Sequence, residues 1–564
     1  MSAKTMFKKA AIASAVVGAL SATSAHAVNL ADDGLGEAFV IPYFSAANGF
    51  NTYLNITNTS AETTAVKIRF REGFNSREVR DFNIVLSPYD VWTGAVVADD
   101  TTGGGKLITA DTTCTVPAVI GTSGSILFTT AEFDGATSDK QDSGPDGFAR
   151  TLEGYVEIFN MGRDGNPTGS SNSFTPLSFY AEHVDTADGR VPRDCSMVEK
   201  QFSPVAIVAP DEVISGDPTD ETYLTRLQRY IDEPTNTLKV SASLLDVADG
   251  TGYAIDAITL ANFFNPGALF VDGVSQSDLI QEPGNDKPDF ASVSPVISEV
   301  HDNVAGTSNW ISTWATAPNS VSAVDAVLMR KTVINQYRYA AGNADTDWVV
   351  TFPTKHHHVD YLAHADLDVT ELNEREPFAN WFHTNGGNVE DDASEHEDGN
   401  GKAPSRVGIS TFDREEDSFQ APDVCQDPFT GETFPTGAGG LCPSPTIPLS
   451  EVFQNLDWEV NVIEFGEGVF GSQLTSESLT PSALNAANFE AGWTRLTLGE
   501  DPSTVANPVT NTITSDEGHV YTGLPVVGAS FLRLDNGTAG IEMLRYGFSW
   551  EHGYTRAISG VTIN

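Results

Sequence analysis

The sequence predicts an all-β chain: an antiparallel β-sandwich architecture of the immunoglobulin-like kind, with a few short helices and long acidic loops. Three observations predict it. First, the stretch Asn48–Val97 holds three segments that alternate with period two, separated by turn residues. Thr52, Leu54 and Ile56 face one way; Val66, Ile68 and Phe70 oppose Lys67 and Arg69; Phe82, Ile84 and Leu86 form a third row. Alternation rich in Thr, Val, Ile and Phe marks half-buried strands. Asn58-Thr59-Ser60 and the Glu72–Ser76 stretch supply the turns, so the block reads as a β-meander forming one sheet. Second, composition favours strands and turns: 49 Gly and 31 Phe against 6 Met. Third, only Thr222–Ile231 carries a clear helical period.

The remaining elements follow in order. Ala38–Ile41 is an early strand that Pro42 stops. Val91–Val97, with Trp92, resumes a strand after the Ser87–Asp90 turn. Ala98–Gly147 is loop-rich. Leu152–Asn160 is apolar on both faces except for Glu153 and Glu157, as a central strand is. Ser178–Cys195 reads as loop. In the helix, Tyr223, Leu224, Leu227, Tyr230 and Ile231 share a face, Thr219 or Asp220 caps it and Pro234 ends it. Leu238–Leu245 alternates again, and Ala254–Phe264 reads as a short helix. Ser322 and Asp325 resemble an N-cap and its N3 acid. Thr332–Tyr339 and Trp348–Phe352 are strands. Asn385–Asp417, dense in Asp and Glu, reads as an exposed acidic insertion. Trp458–Phe465, Trp493–Leu498, Val520–Leu524 and Gly540–Trp550 close the fold. No strict repeat period marks a solenoid.

Residues 1–27 have the form of a secretory leader. Lys4, Lys8 and Lys9 precede the apolar run Ala10–Leu20, and Ala25-His26-Ala27 is a small-x-small cleavage site. No later stretch approaches the roughly 18 apolar residues of a membrane helix. No cysteine directly follows the cleavage site, where Val28 stands, which argues against a lipoprotein. The rest divides into an N-terminal β-sandwich domain over 28–240, a second β-rich domain over 241–384 and 450–564, and an acidic, disulfide-closed insertion over 385–449. The formal net charge is −46, which disfavours nucleic acid and anionic membrane as partners. Export permits disulfides. Cys114–Cys195 with Cys425–Cys442 is the most local of three connectivities. The second bridge closes a Pro- and Gly-rich loop and contributes about 3 kcal/mol in the chain-entropy account.

Most catalytic signatures are missing: no GxSxG elbow, HExxH or Walker loop occurs. One histidine run has metal-ligand chemistry. In extended geometry His356, His358 and Asp360 share a face. Two imidazoles and a carboxylate suit zinc, copper or iron, with His301, His364 or His383 as a further ligand. The bland alternative is a hydrated strand edge. Asp366, Asp368 and Glu371, and separately Asp345 and Asp347, place oxygens at the close spacing calcium uses, although neither stretch fits an EF-hand. No cofactor is predicted, and a structural calcium is the one ion this spacing allows. Tyr43, Phe44, Trp310 and Trp314 stack on sugars if exposed and are core if not.

The segments IPYFSAANGFNTYLNITNT, AVKIRFREGFNSREVRDFNIVLSPYDVWTGAV, LEGYVEIFNMG, DTDWVVTFPTK and TGLPVVGASF resemble a family of exported proteobacterial proteins labelled "cell surface protein" or hypothetical. The acidic insertion and the histidine triplet are local departures from it. The resemblance implies Gram-negative export and a non-enzymatic role, and it carries no catalytic residue. The expectation is an exported surface or extracellular protein, structural or adhesive, meeting other surface or matrix components. Two rivals stand beside it: a carbohydrate-active or metal-dependent hydrolase, and a binding module for glycans or apolar ligands.

Overall fold

The computed structural model describes residues 27–560 other than 119, 121–123, 135–141, 143, 165–174, 188, 206–221, 265–278, 292–294, 302–308, 316–320, 361–375, 379–401, 415–423, 427–432, 436–446, 449–451, 467, 472–489, 502–508 and 540–541. Strands dominate and the helices are short, as the expected all-β class requires. Ala38–Ser45 (β1), Phe50–Asn58 (β2), Thr63–Glu72 (β3), Glu78–Leu86 (β4) and Val91–Ala98 (β5) are all strands. They do not form one meander. β3 pairs with β4, whereas β2 pairs with β5 across the fold. The chain switches sheets so that both apolar rows face one core. Leu54, Ile56 and Trp92 meet Ile68, Phe70 and Phe82 there, and the Phe82 and Trp92 rings lie 5.8 Å apart.

Glu153–Asp164 (β6) is the central strand its composition implied, paired antiparallel to β1 on one side and β3 on the other. Pro42 does not end β1. It sits where the β1–β6 register shifts, a bulge where no ladder N–H is needed. Leu238–Asp246 (β7) extends the β2 sheet and pairs with Thr251–Asp256 (β8), while Ile258–Ala261 (β9) joins β1. The expected helix over Ala254–Phe264 is therefore absent. Its β-branched Ile255, Ile258 and Thr259 fit the two pleated surfaces it bridges.

Ser178–Cys195 is not loop either. Leu177–Ala181 (α1) leads into a His183–Pro192 hairpin and then Cys195–Gln201 (α2), capped by Asp194. The Cys114–Cys195 disulfide ties α2 to the sheet edge at Cys114–Val116. The Cys425–Cys442 pairing lies outside the described residues. Tyr223–Tyr230 (α3) is the expected helix. Thr222 rather than Thr219 or Asp220 is its cap, accepting from the Thr225 amide at 3.0 Å.

In the second half, Val321 occupies the cap position of Ser322–Leu328 (α4), so Ser322 is inside the helix. Thr332–Arg338 (β10) pairs with Ala491–Thr497 (β14), which pairs in turn with Ser405–Asp413 (β12). β12 corrects the reading of Asn385–Asp417 as wholly exposed: Val407 and Ile409 are core residues, and pairing on both sides outweighs the acidic neighbourhood. Ala344–Thr351 (β11) lies between Val460–Phe465 (β13) and Val527–Ala539 (β15), with Glu542–Glu551 (β16) outermost. Trp348, Tyr337, Phe465 and Leu496 fill the core between these two sheets. The opposite face of β11, β13 and β15 carries Val349, Val462 and Phe531 into the first core. Tyr43–Phe470 at 5.2 Å, Tyr253–Phe531 at 5.5 Å and Phe74–Trp458 at 4.7 Å seal that contact.

Candidate functional site

The densest chemistry is a buried seam of charge laid across the β3–β4 hairpin. Alternation sends Lys67, Arg69 and Arg71 to the face of β3 opposite Val66, Ile68 and Phe70, but that face is covered as well. Lys67 and Arg69 are 0% exposed. Cross-strand register supplies their counter-charges. Asp81 accepts from Lys67 Nζ at 3.0 Å, Glu78 from Arg69 Nε at 2.7 Å, and Glu157 of β6 lies 2.9 Å from Arg71 Nε. Main-chain carbonyls close the top: Lys67 also donates to Glu282 and Asn285, and Arg69 to Pro288. Burial pushes the Glu78 carboxyl up to about 7 despite the Arg69 guanidinium beside it.

At the hairpin tip, Glu72 accepts from the amides of Phe74, Asn75 and Arg77 and takes two further bonds from Arg150. Arg150 also grips Asp142, at 2.9 Å through Nη1. The tip is thereby fixed in the shape that docks onto the second half. Gly73 and Phe74 carbonyls accept from the Val460 and Glu459 amides at 2.8 and 3.0 Å, and Arg77 pairs with Asp360.

That contact decides the histidine run. The segment is not extended: His356–Val359 is one helical turn (α5), closed by amide bonds from Val359 to Lys355 and from Asp360 to His356. The shared face expected of His356, His358 and Asp360 is therefore lost, because alternate residues do not align on a helix. His356 Nδ1 lies 3.5 Å from the Tyr155 hydroxyl. His358 Nε2 lies 2.9 Å from Asp325 of α4, and Asp360 is held by Arg77. The three side chains go to three different partners. His356 and His357 stack with centroids 3.9 Å apart. Burial, then each other and the nearby guanidiniums, hold the His356 ring well below the ordinary imidazole range. Burial puts His357 at about 3. His301 is on an exposed strand end 3.8 Å from Glu299. Asp366, Asp368, Glu371, His364 and His383 lie outside the described residues. Of the other aspartates considered for calcium, Asp345 bonds Arg533 at 2.9 Å, and Asp347 accepts from the Val469 and Phe470 amides at 2.6 and 2.7 Å. Burial raises Asp347 to about 8. Among the described residues, no group of three His, Cys, Asp or Glu is placed to hold a metal ion.

Two further buried groups sit behind the turn. Lys355, 1% exposed, donates to the Asp457 and Trp458 carbonyls, and burial lowers it to about 8. Glu459, also 1% exposed, is pushed well above the carboxylate range by burial, with Lys355 opposing. The pair has acid–base chemistry and is enclosed.

No family model, curated protein or solved structure matches this chain.

The surface carries a different kind of feature. Tyr43, Phe44 and Trp314 are core residues and Trp310 is half-buried against the core, so none is a free platform. Exposed rings lie elsewhere, and three of them, Tyr546, Phe548 and Trp550, stand in one row on β16. The signal was present in the alternation Tyr-Gly-Phe-Ser-Trp, whose large residues all fall on one strand face. A shallow open depression of about 410 Å³, lined by Tyr53, Thr93, Gly94, Ala95 and Ile108 among others, lies on the outer face of β2 and β5.

Proposed function

We propose that this chain is an exported, non-catalytic scaffold of the cell surface, structural or adhesive in role, with residues 1–27 as its leader. One observation carries the reading. The ionisable groups that a reaction would use are spent on bracing the fold. Arg150 with Glu72 and Asp142, and Arg69 with Glu78 and Glu157, are buried pairs that fix the β3–β4 hairpin within the first half, and Arg77 with Asp360 ties its tip to the second half. Lys355, Glu459 and His358 are enclosed as well. A general acid or base must reach substrate directly or through one water, and these groups face protein. The same observation speaks against the hydrolase. A framework braced by paired charges suits a surface component that must keep its shape.

Protease treatment of intact cells tests the address, with the chain detected by antibody. Loss of full-length chain without lysis supports surface display. Full protection, with release only on opening the outer membrane, overturns it. A purified chain that hydrolyses a glycan or ester, and loses that activity in Lys355→Met or Glu459→Gln at unchanged melting temperature, would restore the enzyme reading.

A further inference from the structure

Tyr546, Phe548 and Trp550 are 46%, 42% and 36% exposed. Register explains why such rings stand in water. Trp550 opposes Ser530 and then Trp348; Phe548 opposes Leu532 and then Thr346, which opposes Phe465. The three rings therefore continue the sheet face that buries Trp348 and Phe465. The covering sheet ends at β10 and Gly553–Thr555, and β16 lies outermost in its own sheet. Leu532 and Leu534 lie half-buried in the same rows. The Phe548 and Trp550 planes are within 9° of parallel, with centroids 5.9 Å apart.

We infer that this row is a stacking platform for an uncharged polysaccharide, which is what the chain adheres to; the inference rests on the adhesive reading above. Charge selects against acidic polymers. The cations of these two strands, Arg533 and Arg545, fall on the opposite face of the sheet by register, and are neutralised there, Arg533 by Asp345 and Arg545 by Asp535 and Asp249. The whole chain carries −46 and repels polyanions. Area selects against a protein or a second copy. Three rings exposed by about two-fifths offer roughly 250 Å², from about 200 Å² for a whole aromatic side chain, where a stable interface needs about 800 Å² per partner. Two copies at this charge also repel. Shape selects against a small apolar compound, which needs a concave pocket. A straight, open row of flat apolar faces suits an extended chain of hexose rings. Their C–H faces cover the aromatics while their hydroxyls stay in water, and weak contacts add along the chain.

Depletion binding of the full exported chain to microcrystalline cellulose, chitin and an insoluble neutral β-glucan tests this, with alginate beads as the acidic control. We expect retention on at least one neutral polymer and none on alginate. The Y546S/F548S/W550S variant should lose at least tenfold in affinity. Y546L/F548L/W550L, which keeps apolar bulk without flat rings, should lose as much, and both should keep the wild-type melting temperature within a few degrees. If either variant fails to fold, Trp550→Leu alone, expected to lose about fivefold, decides the matter. No retention on any neutral polymer, equal retention on alginate, or unchanged binding by the variants overturns the inference. So does a concentration-dependent dimer that these substitutions abolish. A chain that is surface-displayed yet binds no glycan removes this inference and leaves the scaffold; a protected chain that binds removes the scaffold's address and leaves the platform.

Discussion

His356 and His357 are half-buried, and their environment favours the neutral form. Arg69, Arg71, Arg77 and the other imidazole face His356; Arg69, Arg71 and His358 face His357, with Asp289 alone favouring its charge. The folded pKa lies below the unfolded value of about 6.5. The unfolded chain then binds more protons in the window between them, and stability falls as the solution is acidified. Wild-type denaturant midpoints should therefore drop as pH falls from about 6.5 toward about 3. His356→Gln/His357→Gln should flatten the upper part of that drop; an unchanged slope between pH 6.5 and 5 would refute it. Asp347 gives the opposite sign. Its carboxyl is raised to about 8 by burial, so the folded state prefers the proton. The associated stability is complete below the ordinary value near 4 and is lost as pH rises through about 8. Asp347→Asn keeps an acceptor for the Val469 and Phe470 amides and cannot ionise. Its gain over wild type should widen from pH 4 to pH 8 and then level off, and urea midpoints across that range would show it.

At the scale of single elements, β6 is tightly constrained. Gly154 has ordinary extended backbone, yet a Cβ there would lie 1.9 Å from the Arg71 carbonyl oxygen. The strands approach so closely because the hairpin tip folds back onto them: the Gly73 amide bonds the Glu153 carbonyl at 3.1 Å. Gly154→Ala must push β3 away, beside Arg71 and Tyr155. It should cost about 1–3 kcal/mol by overpacking, with hydrogen exchange accelerated at Gly73–Arg77 first. Loss spread evenly over the chain would count against this account. The elements also show what sequence could say. Strands with one wet face, such as β2, and the β6 interior were legible because alternation and continuous apolarity are local signals. The buried charges of β3 were not. Lys67, Arg69 and Arg71 obey the period of a solvent-facing row, and only the Gln281–Phe290 segment and α5, distant in sequence, cover them. The histidine turn was illegible for the same kind of reason: extended geometry was expected over His356–Asp360, whereas the chain forms a helical turn there and the distant Asp325 and Arg77 draw its side chains apart. The aromatic row on β16 was visible as a pattern. Whether it faced core or water depended on where another sheet stopped.

Across the whole molecule, the consequence of the seam is mechanical. Chains of this length ordinarily melt in pieces, because separate cores lose cooperativity. Here the first core runs without interruption from Leu54 and Phe82 through Tyr43 and Phe470 to Val349 and Phe531. The Gly73–Ser76 tip is inserted into the second half by two main-chain bonds, the Phe74–Trp458 contact and the Arg77–Asp360 pair. Removing one member of a buried pair leaves a desolvated charge and costs about 3–5 kcal/mol. Phe74→Ala deletes an aromatic contact at the same place, for about 3–5 kcal/mol. Both costs fall on the contact between halves rather than inside either core. The wild-type chain should therefore give a single calorimetric transition with matching calorimetric and van't Hoff enthalpies. The combined Phe74→Ala/Arg77→Met variant should split it in two, the lower component arising from whichever half is weaker alone. Two transitions in the wild type would mean that the seam packs the halves together without coupling them, and the case for a braced scaffold would fall with it.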